Sequence, residues 1–359
     1  MKKPTKGNGM TVGLDLGDRF SYVVVLDGEG HVVEEGRVAT REASLRQRFS
    51  GCPRMRIALE TGTHSPWVSR VLEGCGHEVV VANSRRLRLI YKNPSKDDRV
   101  DAFYLARLAR VDPALLSPVQ HRGETAQKDL ALLRSRDALV SARTQLINHV
   151  RGLVKSVGSR LPACSSRAFP KKVSDKTPES LRLGLLPVLE EIGSLNDRIK
   201  DLERQLQVLC EQSYPATKLL RQVTGVGPIT SLAFVLTLEA PERFLKSRTV
   251  GVFLGLVPGR KQSGDSDPQR RITKQGDHCL RRLLVNAAHY ILGRFGPDSD
   301  LRRFGVRIAS RGGKNARKRA VVAVARKLAV LLHHLWRSAE VYEPLYQENH
   351  RAGGRGKAA

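Results

Sequence analysis

Apolar positions come in short blocks over the first 83 residues and in long helical periods further on. "MTVGLDLG" (10–17) predicts a buried strand closed by a glycine turn, "YVVVLD" (22–27) a second strand, and "HVVEEGRV" (31–38) a third. "GEG" turns the chain between the last two, so the three form an antiparallel meander. A short helix follows at 41–50, then a strand at "MRIALE" (55–60) and a helix at "SPWVSRVLEGCG" with a glycine stop. "HEVVVAN" (77–83) is a fifth strand, and the stretch "NPSKDDRVDAFYLARLAR" (93–110) begins a helix that ends near residue 111.

Three strands followed by helix–strand–helix–strand–helix match a ribonuclease H-like arrangement, an α/β domain over 1–112 with a five-strand mixed sheet. Residues 113–213 read as a linker (113–123) and long helices. The first helix spans about 124–156, and a Ser-, Pro- and Lys-rich loop or mobile segment follows at 157–182. Val188, Ile192, Leu195, Ile199, Leu202, Leu206 and Leu209 step by 4, 3, 4, 3, 4, 3, which is a coiled-coil seam. Its polar flanks favour dimerisation over a helical hairpin inside one chain. Residues 214–340 form a mainly α C-terminal domain. There "VTGVGPITS" reads either as a helix-hairpin-helix turn able to hold a phosphate or as a plain helix cap. A glycine- and polar-rich loop spans 260–277, and 341–359 reads as a flexible tail.

Charge changes this picture. The chain of 359 residues has a net charge of +27, which points to a polyanionic partner, nucleic acid above all. Residues 1–112 hold 19 Lys+Arg against 14 Asp+Glu, and the remainder holds 43 against 21, so the excess lies in the helical part. Five scattered cysteines without metal-ligand spacing argue against a zinc site or a disulfide framework. With no long apolar run, the expectation is a soluble, cytoplasmic protein with no membrane partner.

Within this basic chain, "SKDDRVDA" concentrates acids. Ser95 with Asp98 fits a capping box, and acids in a first turn suit the helix dipole. Asp101 falls on the apolar face with Asp98, Leu105 and Leu108, where an uncompensated carboxylate costs several kcal/mol. Asp15 ends the first strand and Glu60 the fourth, which are neighbours in such a sheet. Asp15, Glu60, Asp98 and Asp101 would therefore converge, and four carboxylates at one point call for divalent metal, Mg²⁺ or Mn²⁺. Asp97 stays open as a substitute for Asp98.

Taken with "GLDLG", "ALETG", "KDDRVDA" and "VTGVGPITS", the segment "LGLVPGRKQSGDSDPQRRITKQGDHCLRRLLV" resembles the DEDD-type insertion-sequence transposases. These are bridge-RNA-guided serine recombinases related to site-specific DNA invertases. The resemblance covers about residues 10–335. It implies a Holliday-junction-resolvase-like (RuvC-like) domain holding Mg²⁺ through Asp15, Glu60, Asp98 and Asp101, and a nucleophilic serine matching Ser263, with Ser266 as its internal competitor. It implies cutting and rejoining of target and donor DNA through a phosphoserine intermediate, guided by a noncoding RNA. The assembly would be an obligatory homo-oligomer, dimer or tetramer, in which acids and serine come from different protomers. In a bacterial cytoplasm it would be nucleoid-associated when bound to DNA. Arg260, Lys261, Arg270, Arg271 and Lys274 around the serine, with Arg281, Arg317 and Lys318, are the expected nucleic-acid contacts. The alternative is a metal-dependent junction nuclease that uses the four carboxylates and water.

Overall fold

The first strands pair as a meander, the first buried almost throughout and the third mostly exposed. β1 (Thr11–Asp15) runs antiparallel to β2 (Phe20–Leu26), and β2 antiparallel to β3 (Val32–Ala39). β4 (Arg56–Glu60) lies parallel to β1 and β5 (Glu78–Ala82) parallel to β4, giving one mixed sheet in the order β3-β2-β1-β4-β5. The computed structural model describes residues 9–87, 97–268, 270–347 and 350. Ser95, expected to cap the third helix, and most of the expected tail lie outside them.

The sheet has two apolar faces. On one, Val12, Leu14, Ile57 and Leu59 bury against α1 (Glu42–Phe49) and α2 (Ser65–Gly74). On the other, Ala58, Val24 and Leu26 meet α3 (Asp98–Val111) through Ala102, Leu105, Ala106 and Ala109, all fully buried. Gly13 permits this close approach. A Cβ there would lie 1.8 Å from the Ala102 carbonyl oxygen and 2.7 Å from the Ala106 nitrogen. A buried histidine, His77, ties elements together: its Nδ1 accepts from Met55 N–H and its Nε2 donates to the Phe49 carbonyl. The segment 113–123 is packed rather than a linker. Leu116 is buried beside Leu105, and Val119 N–H donates to the Val81 carbonyl at 2.8 Å.

By its own contacts the chain divides into two units, Met1–Gly123 and Glu124–Ala359. The second begins with α4 (Glu124–Ser156), continues through α5 (Phe169–Val173) and returns along α6 (Glu179–Gln212). Arg136 pairs with Glu203, and Arg143 donates to the Asn196 side chain at 2.8 Å, so α4 and α6 are antiparallel. The heptad seam expected to bring two protomers together is thus covered by the chain's own α4: Ile192 packs with Ile147 and Val150, and Leu206 with Leu130 and Leu133 in the larger core. Within the expected loop 157–182, the connection 157–178 is packed: Phe169 and Val173 are fully buried under the hairpin's end. The remaining helices are α7 (Ala216–Leu220), α8 (Pro228–Leu238), α9 (Arg248–Phe253), α10 (His278–Leu292), α11 (Asp300–Ala309) and α12 (Ala316–Ser338). They share one core with the base of the hairpin. Among the described residues no helix is long and apolar enough to cross a membrane.

Candidate active site

The period-two rule puts two acids on one face. Gly13 and Ala58 point toward α3, so Asp15 and Glu60, two residues on, point the same way from the ends of adjacent parallel strands. α3 runs against these strands. In its last turn Arg110 donates to the Gly28 carbonyl, beyond the end of β2, and the Ala109 carbonyl accepts from Arg56 at the start of β4. Its first turn, with Asp98 and Asp101, therefore stands at the end of the sheet where Asp15 and Glu60 sit. Asp15, Glu60 and Asp101 are half-buried, while Asp98 is exposed. Asp97 is the N-cap, its Oδ1 accepting Arg99 N–H at 3.1 Å.

Among the described residues, no three His, Cys, Asp or Glu side chains are gathered tightly enough to count as a metal-holding group. The fit to a cation rests instead on donor chemistry and placement: hard carboxylate oxygens from β1, β4 and α3 share one end and one face. The same rim carries residues that sequence patterning did not single out. His64 Nδ1 accepts from the Trp67 indole N–H at 3.2 Å, and its Nε2 lies 3.4 Å from Asp18 Oδ1. "TGTHSPW", directly after Glu60, was the available signal.

The serine loop is a paired arm. Thr273 N–H donates to Val257, Lys274 N–H to Gly255 and Gly259 N–H to Arg271, so the two stems form a short antiparallel ladder. At the tip Ser263 and Ser266 exchange both backbone hydrogen bonds at 3.1 Å across Gly264 and Asp265, with Gly264 at φ +54. Residues so paired project their side chains from the same face. Ser263 and Ser266 are thus neighbours, both exposed. Arg260, Lys261, Arg270, Arg271 and Lys274 are exposed along the arm, and Arg317 and Lys318 are exposed on the first turn of α12.

Arg281 is a correction to the expected nucleic-acid contacts. It is buried, and its Nη1 donates to the carbonyls of Leu254 and Gln275 at 3.0 and 3.1 Å, one from each stem. Gly255 and Gly276 let the stems cross there. Both have positive φ, and a Cβ on either would fall within about 2.2 Å of opposing backbone. Asp277 caps α10 through Leu280 N–H and pairs with Arg134, while Arg282 pairs with Asp137, so α4 braces the arm's root. Burial, then Asp137, push the Cys279 thiol beside it above the ordinary range.

An acid-ended mixed sheet, followed by a basic helical unit with a serine at the tip of a cationic arm, defines a class of nucleic-acid-processing proteins. Comparison with known proteins gives the particular family. Residues 12–158 match the DEDD Tnp IS110 family, described as "Transposase", and residues 217–305 match "Transposase IS116/IS110/IS902 family". The chain is 28% identical over 291 residues to the transposase for insertion sequence element IS1328 of Yersinia enterocolitica, covering 80% of this chain and 85% of that one. It is 29% identical over 341 residues to a probable family 20 transposase of Pseudomonas aeruginosa, covering 93% and 98%. With the transposase for IS1111A of Coxiella burnetii it shares 27% over 342 residues, covering 92% and 90%. The chain belongs to the DEDD-type IS110/IS116 family of insertion-sequence transposases.

Proposed function

We propose that this transposase cuts and rejoins DNA strands through a covalent phosphoserine intermediate on Ser263, with Asp15, Glu60, Asp98 and Asp101 forming a divalent-metal site on a ribonuclease H-like sheet. The observation that carries the reading is the placement of Asp15 and Glu60 at the ends of neighbouring parallel strands, on the face where α3 brings Asp98 and Asp101. Asp98 is preferred to Asp97 because Asp97 already accepts a capping bond. A bound Mg²⁺ or Mn²⁺ would supply charge neutralisation at a scissile phosphate. The carboxylates' part is to hold that charge at the end of two paired strands.

The arm supplies the nucleophile. Ser263 Oγ forms a bond to phosphorus, the bond from phosphorus to a deoxyribose oxygen breaks, and the hydroxyl proton passes to the departing oxygen. A deoxyribose hydroxyl reverses the step, so the phosphodiester is exchanged rather than hydrolysed and no nucleotide cofactor is needed. Arg260, Lys261, Arg270, Arg271 and Lys274 offset phosphate charge on both sides of the tip. Ser263 is preferred to Ser266 because it stands in the S-G context of the family resemblance. The reading includes a noncoding guide RNA and a homo-oligomer, dimer or tetramer. Support for an RNA partner is the basic helical unit with few aromatics, suited to reading backbone shape.

The test is strand cleavage of duplex DNA by purified protein with its guide RNA across a Mg²⁺ titration. Asp101→Asn is expected to bind DNA and RNA normally but lose cleavage by a factor of about 100 or more. Full cleavage by Asp101→Asn, or in the presence of excess EDTA, contradicts the metal site. Cleavage that releases hydrolysed ends and persists in Ser263→Ala points to the junction-nuclease chemistry instead.

A further inference from the structure

The far end of the helical hairpin is a basic cap. Between residues 151 and 176 the chain carries seven Lys and Arg against a single Asp. Lys155, Arg160, Lys171 and Lys172 are exposed. A cleft of about 540 Å³ opens here between the end of α4 and the connection, lined by Arg151, Lys155, Gly158, Ser159, Arg160 and Leu161. The cap has a fixed shape. The Arg151 guanidinium lies 5.0 Å over the Phe169 ring and donates to the Pro162 carbonyl at 3.2 Å, and Phe169 and Val173 are buried against Ile147, Val150 and Leu189. Most of it, from residue 159 on, lies between the two segments that match the transposase families.

Position and chemistry specify what it takes. Leu133 sits in the core that also roots the serine arm through Leu254 and Leu280, and Val154 sits under the cap. At 1.5 Å per residue along α4 the cap stands about 30 Å from that core, close to one turn of B-form DNA. Phe169 is the only aromatic residue between 151 and 178, and it is fully buried. Single strands are gripped by stacking bases on exposed aromatics, whereas lysines and arginines around an open cleft grip a phosphate backbone. We propose that this cap is a second DNA contact, a phosphate clamp for duplex DNA about one helical turn from the arm's root. The inference rests on this chain acting on DNA, and it is independent of which residues do the chemistry.

The test uses the full chain carrying Ser263→Ala, so that cleavage does not enter, and measures binding to duplex DNA by fluorescence anisotropy over a salt series. The cap variant combines Lys155→Gln, Arg160→Gln, Lys171→Gln and Lys172→Gln. The comparison variant removes the same charge from other exposed positions of the same unit, with Arg198→Gln, Lys200→Gln, Lys218→Gln and Arg221→Gln. Each phosphate contact contributes about 0.9 to the slope of log affinity against log salt. The cap variant is therefore expected to lower that slope by up to about 3.6 and low-salt affinity more than tenfold, with the comparison variant within about twofold of the parent. An equal fall in both variants, no fall in the cap variant, or a fall confined to duplex RNA overturns the proposal. If the parent itself fails to bind duplex DNA, the DNA-acting reading fails as well, which separates the two failures.

Discussion

Gly13 shows how one residue decides whether the acids can meet. With no side chain, it lets α3 lie directly on β1, and this brings Asp98 and Asp101 down to the end of the sheet where Asp15 and Glu60 sit. Gly13→Ala would drive a methyl group into the Ala102 carbonyl oxygen, so α3 must lift from the sheet. Overpacking of this kind costs about 1–3 kcal/mol, and a clash with helix backbone belongs at or above the upper end. Gly36 on β3 has nothing within 4 Å of an added Cβ. Urea denaturation should find Gly36→Ala near parental stability and Gly13→Ala lower by about 3 kcal/mol or unable to fold. Equal stability of the two variants would mean that α3 is not seated as described. The neighbouring Asp97 and Asp98 separate by local chemistry. Asp97 accepts a backbone N–H as the helix cap, while Asp98, one residue on, is exposed in the first turn.

At the scale of elements, the structure replaces two sequence expectations with built parts. The serine loop is a ladder-paired arm whose stems are clamped by Arg281, and the connection 157–178 is a cap seated on Phe169. Arg281→Met leaves the Leu254 and Gln275 carbonyls without that donor, which costs about 1–3 kcal/mol locally and frees the stems. Limited trypsin digestion should cut the arm at Lys261, Arg270 and Arg271 several-fold faster in Arg281→Met, with Arg281→Lys in between and the helical content unchanged. An arm equally resistant in all three proteins would show that the stems are held by the glycine crossing and the ladder alone. The reasons these parts escaped the sequence are physical. Strands facing two apolar layers carry their period in Val12, Leu14, Ile57 and Leu59, and strand ends then locate Asp15 and Glu60. The arm is held by backbone bonds among polar residues, which leave no hydrophobic period. Arg281, in a run of surface arginines, looks like any other cation until its burial is seen. Phe169 and Val173 are isolated apolar residues in a polar stretch, and Leu116 adjoins an exposed Leu115, so their burial is set by partners elsewhere along the chain. The heptad seam was legible as a seam, but its polar flanks pointed to a second protomer where the chain's own α4 supplies the partner.

For the whole molecule, the charge division follows the structural one. The sheet-bearing unit is close to balanced and carries the acids, while the helical unit holds most of the +27 and places cations along the serine arm, on the first turn of α12 and at the hairpin cap. Such a distribution of charge suits contact with a phosphate backbone. The central claim is that the bond is exchanged through Ser263. Trypsin releases the arm's tip as the peptide QSGDSDPQR, residues 262–270, which contains both Ser263 and Ser266. The most direct measurement is to trap the protein on a nicked duplex in Mg²⁺, digest protein and DNA, and sequence this peptide by mass spectrometry. The account predicts a nucleotide phosphodiester on Ser263, lost in Ser263→Ala and retained in Ser266→Ala. An adduct on Ser266, or cleaved DNA with no adduct on this peptide, would contradict it.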